Sequence, residues 1–489
     1  MSNEAEPPVI SGSERWRCFR LEGPNPSAHS GPVSSSWWND LGLPLGTPFL
    51  LSPKWQFDRE LNEFFSSTEM LSARMSTRVG YANDLVLYFN FLHHNRGISD
   101  WRSTRDVDHL AYLIWRRQDP QGPKVSGATW DREVSAQNRF FRWQASSGHI
   151  SVNPIPQRDS RSRSEMSGRQ VGQSAATYSH DRQKDRVQWL PASSYRVWRD
   201  IGIRGYSVEG FPDPGFRGRW ASRNAAFVDL MVRTGLRLTE QASLLVSDVP
   251  EISGRGYSRF WLSGAVAKWG SARWVYVPAS VLSDVSAYVD IDRQSVVRMA
   301  RSRGDYEGST QAVFNRESGF VTTVIGDGVL ARTRVGNLSP TERLRLMVES
   351  DEGLEPAALW LSETGHPVAV STWKDLFRQA NARCVAKGAK LHAHAHLLRH
   401  TFAVLTLEQL QRGHIAELSK LLPEQRSQYV RVFGDPLDWV RRALGHRSVT
   451  TTQVYLHALE ELELETRLAL IPDEWSDPRV QSFKLGSSQ

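Results

Sequence analysis

Between residues 49 and 153 the apolar positions recur at helical spacing. Leu85, Tyr88, Phe89 and Leu92 fall at i, i+3, i+4 and i+7, the signature of one buried helix face. Leu110, Leu113 and Ile114 repeat the pattern, and Phe140, Phe141 and Trp143 follow it less regularly. The spacing predicts a compact all-α domain of four or five short helices over residues 46–153. Residues 1–45, rich in Ser, Pro and Gly as in Pro24-Asn25-Pro26-Ser27 and Ser34-Ser35-Ser36, read as a flexible segment, with Trp37-Trp38 free to dock on a neighbouring surface. Pro154-Ile155-Pro156 closes the helical block. Residues 154–186 then carry few large apolar side chains and read as an interdomain linker. Arg158, Arg161, Arg163, Arg169, Arg182, Lys184 and Arg186 outnumber the acids there, which leaves two readings open: a solvated tether, or a strap along phosphates.

Residues 187–471 mix both periodicities and are expected to form a second domain, with 472–489 as a C-terminal tail. Phe227, Leu230, Met231 and Thr234 mark a helix that ends at Gly235. Phe260-Trp261-Leu262 and Trp274-Val275-Tyr276-Val277-Pro278 read as two strands flanking a turn that holds Lys268. Ser339-Pro340-Thr341-Glu342 offers a capping box. Asp435-Pro436 opens a helix with Leu437, Val440 and Leu444 on one face, stopped by Gly445. Thr450 with Gln453 offers a further capping box for the helix that bears Tyr455 in its second turn. Residues 300–345 look like a β-rich insertion and 411–434 like another added stretch. The fold class expected is mainly α with a small β-sheet (α+β): a helical domain followed by a mixed α/β domain.

Composition narrows the function classes. A chain of 489 residues fits two or three domains. Its net charge of +7 and pI of about 9.4 favour a polyanionic partner. Cys18 and Cys384 form no CxxC pair, so a disulfide framework is not expected and a reducing cytoplasm is the simplest location. No apolar signal core opens the chain, and no stretch approaches ~18 uninterrupted apolar residues, so no membrane association is expected.

Two arginines, several histidines and one tyrosine carry the candidate chemistry. Phosphoryl transfer spreads negative charge over non-bridging oxygens, which the planar fork of arginine matches with paired hydrogen bonds. Arg237 and Arg399 are the candidates for that clamp. No acidic cluster with Mg²⁺ spacing accompanies them, and no cofactor is expected. Tyr455 is the candidate nucleophile. A free phenol ionises near pH ~10, so it needs a proton acceptor or strong positive potential, which His396 and the arginines can supply. Lys268 is the candidate proton donor to the leaving oxygen, with Arg273 a rival on the same hairpin. His446 is expected to hydrogen-bond a phosphate oxygen, and Glu240 to brace Arg237. His392, His394 and His396 alternate and invite a metal site, but no carboxylate or thiol joins them at ligand spacing.

Four stretches in order resemble the tyrosine recombinases of the phage-integrase family. Thr234-Gly235-Leu236-Arg237-Leu238-Thr239-Glu240 is similar to the first-arginine box. Ala267-Lys268-Trp269-Gly270 through Val277-Pro278 looks like the hairpin with the family's lysine, departing from its usual Gly-Lys-Gly form. His396-Leu397-Leu398-Arg399-His400-Thr401-Phe402-Ala403 matches the second box, and Leu444-Gly445-His446 through Tyr455 the last. The helical segment 49–153 is similar to the core-binding domain that closes over DNA. The resemblance implies a site-specific recombinase that cuts one strand at a time through a 3′-phosphotyrosine, for integration, excision or transposition of a mobile element. It implies double-stranded DNA as partner, a homo-tetramer on two sites with accessory proteins, and no need of ATP or metal. Two other readings stay open: a non-catalytic DNA-binding relative, and a type IB topoisomerase-like relaxing enzyme. Leu456, Leu459, Leu462, Leu464 and Leu468 form a leucine-rich end that packs either on a neighbouring subunit or back on its own domain.

Overall fold

The computed structural model describes residues 14–21, 43–158, 174–179, 187–253, 256–307, 312–325, 329–420 and 435–459. The expectations placed on Trp37-Trp38, on most of the linker, on 421–434 and on the chain beyond 459 lie outside these residues. The chain divides into two units, Met1–Gln183 and Lys184–Gln489.

In the first unit, β1 (Arg17–Arg20) pairs antiparallel with β2 (Pro48–Leu51), so part of the segment expected to be flexible is a strand. Five helices follow, α1 (Arg59–Ser66), α2 (Thr68–Leu71), α3 (Met75–Arg96), α4 (Asp106–Arg117) and α5 (Gly127–Ser146), and then β3 (Gln157–Arg158) pairs antiparallel with β4 (Ser174–Ala175). Asp58 caps α1 and Ser126 caps α5, each accepting an amide of the first turn. Leu85, Tyr88, Phe89 and Leu92 of α3 are buried, with Phe64, Trp101, Phe140 and Phe141 around them.

Helix α4 departs from the expected apolar face. Leu110 and Ile114 are exposed, and the buried side carries Asp108, His109, Tyr112 and Arg116. Polar pairing offsets the desolvation of these groups. Arg96 donates to Asp108 at 2.9 Å, Tyr112 to Glu133 at 2.9 Å, and Arg116 forms a fork on Glu133. His109 meets Gln137 and Thr177 through its two ring nitrogens.

In the second unit, α6 (Ala192–Arg199), α7 (Ala221–Thr234) and α12 (Val370–Ala386) pack around Trp198, Phe227, Trp360 and Trp373, with Phe227 and Trp373 stacked at 3.6 Å. Gly235, at φ 66°, ends α7 in the left-handed conformation. Helix α8 (Leu238–Ala242) follows, then the hairpin of β5 (Tyr257–Leu262) and β6 (Arg273–Pro278), with Leu262 opposite Arg273 at its closed end. Helices α9 (Ala279–Ala287) and α10 (Gln294–Ser302) lead to the insertion.

That insertion is a five-stranded sheet reaching from residue 313 to 356, so it begins later and ends later than the expected 300–345. Its strands are β7 (Val313–Asn315), β8 (Phe320–Ile325), β9 (Val329–Arg334), β10 (Met347–Ser350) and β11 (Gly353–Pro356), in the order β11-β10-β7-β8-β9 with β7 and β10 parallel. Ser339 and Glu342 form the expected capping box on α11 (Pro340–Arg343). Helix α11 and the chain leaving the sheet dock on the stretch that follows α8. Leu359 donates to Leu244, Val246 donates to Ala357, and Arg343 binds Asp248. Helix α13 (Ala395–Lys420) carries the second arginine stretch, and α14 (Pro436–Leu444) is capped by Asp435 and ended by Gly445 at φ 65°. Residues 450–459 form the last described helix, α15. Its first amide, Thr450, donates to Ser448 Oγ, so the cap lies upstream of the expected Thr450–Gln453 box. Among the described residues, no helix is long and apolar enough to cross a membrane.

Candidate active site

The ends of two helices meet on one guanidinium. Arg399, on α13 and only 2% exposed, donates to the Gly235 carbonyl just past α7 and to the Leu444 carbonyl at the end of α14. Unpaired carbonyls at helix C-termini carry partial negative charge, so a buried cation is favoured there. Burial, together with the positive charges of Arg237 and Arg273, still draws Arg399 down to about 9. It remains charged at neutral pH and is fixed in place.

Arg237 lies three residues past the end of α7, at the N-cap position of α8. Its Nη1 donates to Glu240 Oε1 at 2.9 Å and its amide to Oε2 at 2.9 Å, while its side chain stays 21% exposed. Glu240 is unexposed and also takes Arg273 Nη2 at 2.6 Å and the Lys268 amide at 3.3 Å. Burial alone would raise this carboxyl, but Arg273 and then Arg237 hold it at about 2. Glu240 thus braces Arg237, as expected, and fastens the hairpin as well. Arg273 is turned inward, bound to Glu240 and to the Ala443 carbonyl at 2.9 Å. Lys268, the expected donor, is exposed at the turn, with Nζ 5.8 Å from the centre of the Trp269 ring.

Helix α13 begins with a histidine cap, since His394 Nδ1 accepts the Leu397 amide at 3.2 Å. That contact gives one of the three alternating histidines a structural task. Among the described residues no group of three or more His, Cys, Asp or Glu is placed to hold a metal ion. His396 and His400 lie one turn apart on α13, ring centres 4.2 Å apart. His400 Nδ1, not His396, meets the Tyr455 hydroxyl, at 2.9 Å. His446 stacks nearly parallel to the Tyr455 ring at 6.3 Å, its Nδ1 engaged with Thr452 Oγ1 at 3.0 Å. His394, His396, His400, His446 and Tyr455 line one open cavity of about 440 Å³.

These groups are tuned by burial and by the arginines. Burial, then Arg399 and Arg237, pulls His446 down to about 3. Burial, then His396 and Arg399, does the same to His400. His396 is lowered by burial, then by Arg399, His394, Arg237 and Lys268. Tyr455, 2% exposed, is pushed up to about 12 by burial against the pull of Arg399 and Arg237. The histidines are therefore neutral at pH 7 and can accept protons, while the phenol holds its own.

Residues 62–148 match the family described as phage integrase, N-terminal SAM-like domain. Tyrosine recombinase XerC of Roseiflexus castenholzii is 23% identical over 386 residues, covering 79% of this chain and 84% of that protein. The chain is similar to the tyrosine recombinases. Among solved structures, XerH site-specific recombinase bound to palindromic difH in a post-cleavage complex is similar at 14% identity, over 83% of this chain and 87% of that one, with a TM-score of 0.45. A lambda integrase dimer bound to a COC′ core site is similar at 13% identity, over 81% and 93%, with a TM-score of 0.41.

Of the expected site residues, His396, His446 and Tyr455 line this cavity; Arg399 and Arg237 do not line it, but their charges act on all three, and that of Lys268 at the hairpin turn acts on His396. The sequence reading left His400 without a role. Its only signal there was its place one turn after His396, and that spacing alone does not say which of the two rings faces the tyrosine.

Proposed function

We propose that this chain is a site-specific DNA recombinase that cuts and rejoins strands through a 3′-phosphotyrosine formed on Tyr455. The observation that carries this reading is one buried tyrosine hydroxyl bonded to an imidazole, with neutral histidines and two fixed arginines, drawn from three distant stretches. A surface that merely binds DNA has no use for a buried phenol whose hydroxyl sits on an imidazole.

In this reading Arg399 and Arg237 take the non-bridging oxygens of the scissile phosphate, where charge grows in the transition state. His446, with Nδ1 committed to Thr452, contacts a phosphate oxygen through Nε2. Lys268 gives a proton to the departing 5′ oxygen. Tyr455 attacks phosphorus, and the ester keeps the energy of the broken bond for rejoining, so no ATP is consumed. The positive charge on the phosphate comes from the arginines, and cleavage is expected to persist in EDTA. The partner is double-stranded DNA, with four copies of the chain working on two sites, together with accessory proteins, in integration, excision or transposition of a mobile element.

The test is Tyr455→Phe in the full chain, on plasmid DNA carrying the segments that flank its gene. The variant is expected to bind DNA as the parent does and to form no SDS-resistant protein–DNA adduct. An adduct that survives the substitution would refute Tyr455 as nucleophile.

A further inference from the structure

We propose that His400 is the group that takes the Tyr455 proton as the tyrosine attacks and hands it back when the strand is rejoined. The inference rests on the reading of Tyr455 as nucleophile and adds the proton acceptor that reading lacks. Of the three histidines near the ring, only His400 is hydrogen-bonded to the hydroxyl, Nδ1 to oxygen at 2.9 Å. His446 lies along the face of the phenol ring with Nδ1 turned to Thr452. His396 touches the His400 ring and opens to solvent.

The surroundings of His400 keep it unprotonated and weakly basic until the phosphate arrives. It faces His396 and Arg399 from its own helix, His394 from the cap, and Tyr455 and His446 from the far side of the cavity. Burial and these groups keep the imidazole neutral, and in this proposal its proton sits on Nε2 and the Nδ1 lone pair faces the phenol. A phenol held at about 12 is ionised in roughly one molecule in 10⁵ at pH 7, so waiting for a free phenolate is slow. A scissile phosphate brings negative charge that offsets the arginines and makes an imidazolium at His400 easier to form at the moment of attack.

The step balances. The Tyr455 oxygen bonds to phosphorus as its proton passes to His400 Nδ1, and the bond from phosphorus to the 5′ oxygen breaks as that oxygen takes a proton from Lys268. Rejoining reverses each transfer.

The experiment uses the full chain and a nicked duplex carrying the mapped cleavage position, with binding and single-turnover adduct formation measured separately. His400→Gln keeps an acceptor for the phenol hydrogen bond but cannot take the proton. It is expected to bind DNA normally and to form adduct roughly 10²- to 10⁴-fold more slowly. A 5′-bridging sulfur at the scissile position leaves without a proton. It should restore Lys268→Ala and leave His400→Gln slow. Added imidazole should speed His400→Ala in proportion to its free-base form. A His400→Gln rate within threefold of the parent, or its rescue by the sulfur substrate, would overturn the proposal. If both His400 variants fail to fold, ¹⁵N-histidine spectra of the parent and Tyr455→Phe decide. One acceptor Nδ1 resonance should move, and no response from any histidine overturns the assignment. Adduct formation by Tyr455→Phe would instead sink the functional reading itself, whatever His400 does.

Discussion

Replacing Glu240 with glutamine tests how far one buried carboxylate holds the site together. Glu240 binds Arg273 at 2.6 Å, Arg237 through both its side chain and its amide, and the Lys268 amide, with no exposure to solvent. Burial opposes its charge, yet Arg273 and Arg237 bring it from 4.5 to about 2. That drop corresponds to about 3 kcal/mol of preference for the ionised form in the folded chain. Because the folded value is depressed, the contribution is complete above about pH 4.5 and fades as pH falls towards 2. Glu240→Gln should therefore lose about 3 kcal/mol at pH 7, in line with the cost of stranding the partner of a buried pair. For a urea dependence of about 3 kcal/mol per molar, the midpoint for the Lys184–Gln489 unit moves down by about 1 M. Urea titration of the full chain at pH 7 and at pH 3 reads both numbers. Adding Arg273→Met should recover part of the loss, since no lone buried charge then remains. A shift below about 0.3 M at pH 7, or a gap that does not narrow at pH 3, would refute the reasoning.

Two further substitutions probe other supports. Gly235→Ala places a Cβ at φ 66° and 2.4 Å from Phe402 Cδ1, so melting should fall, and adduct formation with it, because the Gly235 carbonyl holds Arg399. Melting and adduct rate equal to the parent's would show that the turn tolerates the side chain. Glu133→Ala strips the acceptor from both Arg116 and Tyr112 inside the first unit and should cost roughly 3–5 kcal/mol there. Limited proteolysis of the full chain should then cut within Met1–Gln183 well before Lys184–Gln489, and unchanged cutting would count against the pair.

Helix ends and strongly periodic faces were legible in the sequence because they depend on neighbours within a turn or two. Gly235, Gly445, Asp435 and Ser339 end or start helices where their chemistry requires. Helix α4 was misread for a reason of the same kind. Counting apolar residues chooses Leu110, Leu113 and Ile114. Leu113 does pack against the core, but Leu110 and Ile114 are exposed, and the fully buried side carries polar groups satisfied by partners on other helices, Arg96 and Glu133 among them. Whether a polar face can be buried depends on those distant partners, which periodicity does not contain. The same limit hid His400. His396 and His400 share a helix face, and only the placement of α15 decides which of them meets Tyr455.

The way the site is held explains why its residues sit where they do. Arg237 is the second residue after Gly235, and His446 follows directly after Gly445. In each case a helix ends, a left-handed glycine turns the chain, and the next side chains enter the site. Arg399 closes both ends at once by binding the Gly235 and Leu444 carbonyls, and Arg273 adds the Ala443 carbonyl and Glu240. The cation assigned to the phosphate is thus also the cation that satisfies two helix termini. Its guanidinium is oriented before any DNA arrives, so little of the binding energy goes into ordering it. The same arrangement couples stability to the proposed chemistry: a variant of Arg399 strands two helix-end carbonyls, so no loss of rate on its substitution can be ascribed to the proposed phosphate contact alone. Arg237, partly exposed and tied to Glu240 rather than to a helix end, is the arginine whose substitution isolates the phosphate contact more cleanly.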